Sequence, residues 1–240
     1  MSHPEQVGFF TLVAEANRAL IAGGRVLEIG SYDVNGTIRS LFATADKYVG
    51  VDLDHGPGVD VVGFGHEFDD PDDSYDATIS GECFEHDPYW RETFQNMARM
   101  TRPGGLVAFS CASRGRVEHG TSRTDATQSP GTQAVGLDYY RNLQERDFQS
   151  LPLEDVFSEY RFWYMPTHFD LYFAGVKAGG SGAQLPDDAA VRGLRSLRPK
   201  YELIARGPMR LLSKVLPESR YQSMLVRVWN VGMRLDRRAS

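Results

Sequence analysis

Cysteine is nearly absent. Only Cys83 and Cys111 occur in 240 residues, at no paired or metal-type spacing, which excludes a disulfide framework and a cysteine-rich zinc centre and suits a reducing compartment. No run approaches the ~20 consecutive apolar residues that span a bilayer. Met1–Gln6 offers no basic segment leading into an apolar one, so a cytoplasmic location is expected. No internal repeat is visible. Basic residues are sparse outside the tail: residues 185–240 carry 12 Lys/Arg against 5 Asp/Glu, leaving 14 basic and 27 acidic side chains for residues 1–184. An acidic body argues against a nucleic-acid substrate, because phosphates would meet a repelling field.

What is present begins with Val26-Leu-Glu-Ile-Gly-Ser-Tyr-Asp-Val-Asn-Gly36. A buried-strand pattern runs into a turn at Gly30, where backbone N–H groups face outward and a ligand can approach the chain closely. A second apolar strand, Tyr48-Val-Gly-Val-Asp52, ends 22 residues later in a carboxylate of the kind that accepts hydrogen bonds from ribose hydroxyls. Together these predict a nucleotide site of Rossmann type.

The remaining pattern alternates. Glu5–Ile21 has helical apolar spacing closed by Gly23-Gly24. Strands are expected over 25–30, 48–52, 59–62, 75–80 and 105–111, with helices near 35–43 and 88–101. Alternation of this sort implies parallel strands with crossover helices. Residues 112–140 are polar, glycine-rich and without period, and read as a lid over the substrate. Residues 138–151 resemble a short helix, and the aromatic runs 157–165 and 168–177 a closing antiparallel hairpin. The expected organisation is a domain over 1–178, a linker at 179–184 and a basic helical extension over 185–240.

Four segments in this order, Glu28-Ile-Gly30 with Gly36, Val51-Asp52, Tyr75–Ser80 followed by Glu82-Cys-Phe-Glu-His86, and Arg102-Pro-Gly-Gly105, resemble the class I S-adenosylmethionine-dependent methyltransferases over roughly residues 20–180. The resemblance implies an α/β, Rossmann-like seven-stranded sheet with a reversed final strand and helices on both faces. It also implies S-adenosylmethionine as cofactor and S-adenosylhomocysteine as product. The segments Gly30–Gly36, Glu82–Trp90, Glu118–Arg123 and Tyr139–Asn142 are similar to bacterial methyltransferases of sugar and polysaccharide modification. Two departures stand out: Tyr32 and Val34 occupy positions where the family has glycine, and Phe64 lies where relatives place an acid for the adenine amine, so stacking on adenine is expected instead.

The resemblance places Glu28 near the cofactor's amino group and Asp52 on the ribose, with Gly30, Ser31, Tyr32, Leu53, Phe64 and Glu82 completing the cofactor site. The plainer alternatives are a helix-capping carboxylate for Glu28, a turn former for Asp52 and a solvated loop acid for Glu82. His119 and His86 are the candidate bases for removing an acceptor proton, since histidine titrates near neutrality; Glu85 and His86 can equally cap the helix that follows. The lid's Arg114, Arg116 and Arg123, with Arg141 beyond it, suit either a polyhydroxylated acceptor or solvent. Asp125, Asp138 and His119 show no metal-ligand spacing, and no metal is assigned.

The expected activity is O-methylation of a saccharide or other small hydroxylated acceptor. A nicotinamide-dependent oxidoreductase shares the glycine turn and the acid, and a non-catalytic methyltransferase-like assembly protein would keep the pocket without turnover. In the tail, Leu211, Leu212, Val215, Leu216, Leu225, Val226, Val228, Trp229, Val231 and Leu235 form apolar stripes opposite Arg206, Arg210, Lys214, Arg220, Arg227 and Arg234. Such a face fits packing on the body, a second subunit, or the inner surface of a membrane.

Overall fold

The computed structural model describes residues 3–239, with side chains described through Asn230. Helices α1 (Pro4–Ala16) and α2 (Arg18–Ile21) lead into strands β1 (Arg25–Ile29), β2 (Lys47–Asp52), β3 (Val61–Val62) and β4 (Tyr75–Gly81). Then come α3 (Trp90–Met100), β5 (Thr101–Ala112), the short helices α4 (Pro130–Ala134), α5 (Glu145–Phe148) and α6 (Leu153–Val156), and the hairpin β6 (Phe157–Met165) and β7 (Asp170–Lys177). Helices α7 (Asp188–Gly193), α8 (Lys200–Ala205), α9 (Gly207–Val215) and α10 (Glu218–Ala239) complete the chain.

The seven strands form one sheet in the order β3-β2-β1-β4-β5-β7-β6. All pairs through β4–β5 are parallel, and β7 runs antiparallel to both β5 and β6. Side chains alternate across it as strand geometry requires. Leu27, Ile29, Val107 and Phe109 enter a core with Phe94 and Met97 of α3, whereas Val26, Ala77, Leu106 and Ala108 enter a second with Phe9, Phe10 and Val13 of α1. Both faces are thus covered, as parallel strands need. Phe109 is stacked between Phe173 and Phe148, with centroids 5.1 and 5.0 Å away. Each such buried ring contributes about 1.5–3 kcal/mol by leaving water.

Four expectations need correction. The segment 35–43 is not a crossover helix: only a 3-10 turn, Arg39–Phe42, forms, because Asp33 Oδ1 accepts from Gly36 N–H and Gly36 takes φ 110°. The helix 5–21 is divided at Asn17, whose side chain donates to Val13 O and Gln184 O and accepts from Gln184 N–H. Helix in 138–151 is confined to Glu145–Phe148. The lid is not wholly irregular, since it holds a 3-10 turn at Ala126–Gln128 and α4.

The tail packs on the body through buried Val191, with Leu185 and Leu194 against the same core, and through polar contacts. Arg198 pairs with buried Glu5 at 2.8 Å, and the Trp163 indole N–H donates to Asp188. Val226 is buried, whereas Leu211, Val215, Val228 and Trp229 are exposed; Val231, Arg234 and Leu235 lie outside the described side chains. Tyr221 OH donates to Gly115 O, and Arg114 donates to Ser213 O and Lys214 O at the end of α9. Gln222 Oε1 accepts from Glu118 N–H at 2.9 Å, while its Nε2 donates to Arg116 O at 2.7 Å. The first half of the lid is therefore strapped to α9 and α10. Gln222→Ala leaves the Glu118 N–H without a partner, while Arg116 O keeps the Asn142 amide, and urea unfolding is expected to show a loss of about 1–3 kcal/mol.

Candidate functional site

The C-terminal ends of β1, β2 and β4 open into a cleft that residues 128–132 of the lid also line. Gly30, at the end of β1, has φ 82°, and a Cβ there would fall 2.5 Å from that of Cys83, so this position tolerates only glycine. Asp52, at the end of β2, accepts from Tyr32 N–H at 2.9 Å through Oδ2 and from Leu53 N–H at 2.7 Å through Oδ1. Burial raises its pKa, and the two amides pull it back. Gly131 of α4 packs directly on Oδ1. Tyr32 also lines the cleft, with its ring packed against Gly56.

Glu28, Ser31, Leu53, Phe64, Glu82 and His86 also line the cleft. Glu28 is no helix cap: it is buried and accepts from Tyr48 OH at 2.7 Å. Phe64 sits between Gly63 and Gly65 on the wall beside Leu53 and makes an edge contact with His66. Glu82 takes φ 53°, a conformation costly for a non-glycine residue and frequent at working sites. Neither of its carboxylate oxygens has a hydrogen-bond partner, and Arg116 lies 3.7 Å away. Burial raises its pKa further, with Asp170 adding to the rise. Sequence reasoning missed Gln6 of α1, whose Nε2 donates to Ser110 Oγ and whose Oε1 is buried without a partner. No local pattern distinguishes it from its helical neighbours.

His119 does not line the cleft. It stands behind His86, with ring centroids 5.0 Å apart, and Tyr140 packs against both. Its Nδ1 lies 3.1 Å from Val117 O, so this nitrogen carries the proton and Nε2 is the free base. Nε2 is 4.0 Å from Glu85 Oε1. Burial lowers both histidines, His86 to about 3, so both are neutral at physiological pH. Glu85 and His86 do not cap α3, whose N-cap Tyr89 has no side-chain cap; Asp87 before it accepts from Tyr89 N–H and Thr93 OH.

The lid arginines are engaged elsewhere than with an acceptor. Arg114 caps α9, Arg116 is buried 2.9 Å from Asp170, Arg123 pairs with Glu118 at 2.9 Å, and Arg141 pairs with Asp147. Asp125 and Asp138 do not gather on His119: Asp125 accepts from Thr127 and Gln128, and Asp138 from Ser122. Among the described residues, the groups with metal-ligand spacing are His3–His168–Asp170 and Glu85–His86–His119.

Burial pushes the Glu28 carboxyl up to about 7 against the pull of Tyr48 OH. The unfolded chain ionises Glu28 first, so the protein loses stability as pH rises through the window from about 4.5 to 7 and is flat above it. Glu28→Gln abolishes this component. Urea unfolding of both proteins across that window is expected to show the variant gaining up to about 3 kcal/mol relative to wild type by neutrality.

No curated protein sequence matches the chain. Among solved structures it is similar to the YcgJ protein from Bacillus subtilis, at 15% identity and TM-score 0.52, covering 74% of this chain and 100% of that one. It is also similar to the [4+2]-cyclase SpnF, at 15% identity and TM-score 0.50, covering 71% and 80%. A third is the 1,6-didemethyltoxoflavin-N1-methyltransferase of Burkholderia thailandensis with bound S-adenosylhomocysteine, at 17% identity and TM-score 0.49, covering 72% and 79%. At these identities the likeness concerns the fold. The reversed β7 departs from an all-parallel dinucleotide-binding sheet. Residues 6–174, well over half of the sequence, match the family model described as a methyltransferase domain, and the chain belongs to that family.

Proposed function

We propose that the protein moves the methyl group of S-adenosylmethionine to an oxygen of a saccharide or other small hydroxylated acceptor. The observation that carries this reading is the Asp52 carboxylate at the end of β2, oriented by two amides beside the Gly30 turn and facing a cleft walled by Phe64. Each carboxylate oxygen keeps a second lone pair for a ribose hydroxyl. Phe64 offers adenine a stacking face. The methionine end of the donor then lies toward Gly30, Glu28 and Glu82, whose buried carboxylates suit its ammonium group.

In the transfer, an acceptor oxygen attacks the methyl carbon, the carbon–sulfur bond breaks to leave a neutral thioether, and the hydroxyl proton departs. The sulfonium is already a competent leaving group, so the protein's part is alignment and exclusion of water. Glu85, His86 and His119 handle the proton, with His86 reaching the cleft wall and neutral His119 behind it. Choice of oxygen and of a saccharide rests on the likeness of the Glu82–Trp90, Glu118–Arg123 and Tyr139–Asn142 segments to glycan-modifying enzymes. The fold by itself does not dictate methyl transfer, since one neighbour of similar shape, SpnF, is a [4+2]-cyclase.

Calorimetric titration with S-adenosylhomocysteine tests the donor site. Asp52→Ala is expected to weaken binding by about 10- to 100-fold, the worth of hydrogen bonds to a charged group. An unchanged affinity would sink the reading. Labelled methyl appearing in base-stable ether linkage on extracted glycans tests the acceptor class, and label on nitrogen alone would overturn it.

A further inference from the structure

Three side chains that chain order keeps apart meet behind the cleft: Glu85 and His86 from the loop after β4, and His119 from the lid. One ligand atom from each lies within 4.8 Å of the other two. Glu85 is fully buried, and neither carboxylate oxygen has a hydrogen-bond partner. His86 Nδ1 is likewise buried and unpartnered, while its ring is hydrogen-bonded to the backbone of Tyr139. His119 is held through Nδ1 by Val117 O, leaving Nε2 toward Glu85. Each imidazole thus has one nitrogen tied to the backbone and the other free, as metal-ligating histidines do.

Charge accounting separates this group from its neighbour. In the His3–His168–Asp170 group, Asp170 lies 2.9 Å from both Arg116 and His3, and Glu5 lies 2.8 Å from Arg198, so the carboxylates there already have cations. Glu85 has no Lys or Arg at ion-pair distance among the described residues; its contact is the His119 imidazole at 4.0 Å. A fully buried carboxyl with two bare oxygens beside two imidazoles is costly by itself and is satisfied by one added cation.

We propose that Glu85, His86 and His119 bind a divalent first-row transition ion of the Zn²⁺, Co²⁺ or Fe²⁺ type. Two imidazoles and one carboxylate favour such ions over Mg²⁺ or Ca²⁺, which prefer oxygen donors. Three protein ligands leave coordination positions open, as in catalytic rather than structural sites. Because His86 also forms part of the cleft wall, the ion stands where an acceptor oxygen arrives and lowers the pKa of its hydroxyl. That use of the ion takes the place of direct proton removal by the three side chains and rests on the methyl-transfer reading; its binding does not rest on it.

The test uses the full chain, stripped with a chelator and then titrated with Co²⁺ and, separately, Zn²⁺. Wild type is expected to bind one ion per chain, with visible ligand-field absorption for Co²⁺. Glu85→Gln and His119→Ala are each expected to weaken binding by at least about 100-fold, beyond the usual effect of losing an outer partner. Asp125→Asn, at a half-buried lid position outside the cluster, keeps wild-type affinity. S-adenosylhomocysteine titration of the same preparations reports whether each variant is folded. Wild type that takes up no ion overturns the proposal without reference to any variant, as does uptake that Glu85→Gln and His119→Ala leave unchanged. Co²⁺ uptake without any binding of S-adenosylhomocysteine would instead keep the metal site and remove the methyl-transfer reading.

Discussion

Five carboxylates, Glu28, Asp52, Glu82, Glu85 and Asp170, are gathered at one edge of the sheet, and the rest of the site depends on how each is balanced. A buried carboxylate is tolerated only with hydrogen bonds or a cation. Asp52 has two amides, Glu28 a phenol, and Asp170 both Arg116 and His3. Burial disfavours the His3 cation, yet Asp170 and Glu5 outweigh it and raise His3 to about 9. Glu82 has only Arg116 at a distance, and Glu85 has no partner. The balance therefore runs out where a donor and an acceptor would enter.

The C-terminal helices take part in this balance. Their side chains and carbonyls hold the lid's first half, where Arg116 and Glu118 start the path to His119. Asn142 extends the same network, donating to Arg116 O and to Glu218 at the start of α10. Residues 128–132 lack such straps and lie over Asp52 instead.

Much of the strand order was legible because period-two alternation and glycine stops are local signals. The turn at Gly30, the acid at Asp52 and the 157–177 hairpin all stand where their residues suggested. The helix near 35–43 was misread because apolar spacing outweighed Asp33 and Gly36, whose local hydrogen bond favours a turn. The lid arginines were misread for another reason. A guanidinium in a polar loop looks free until its distant partners, such as Ser213 O or Asp170, are known.

By itself the sequence determined the parallel sheet, the nucleotide turn and the strand-end acid, since each follows from residues within one element or its boundary. Only the tertiary structure decided that Gln6 reaches the cleft, that Tyr32 packs against Gly56, and that His119 joins Glu85 and His86. Those meetings depend on loop paths, and a loop path is settled by hydrogen bonds to remote parts of the chain that no local periodicity encodes.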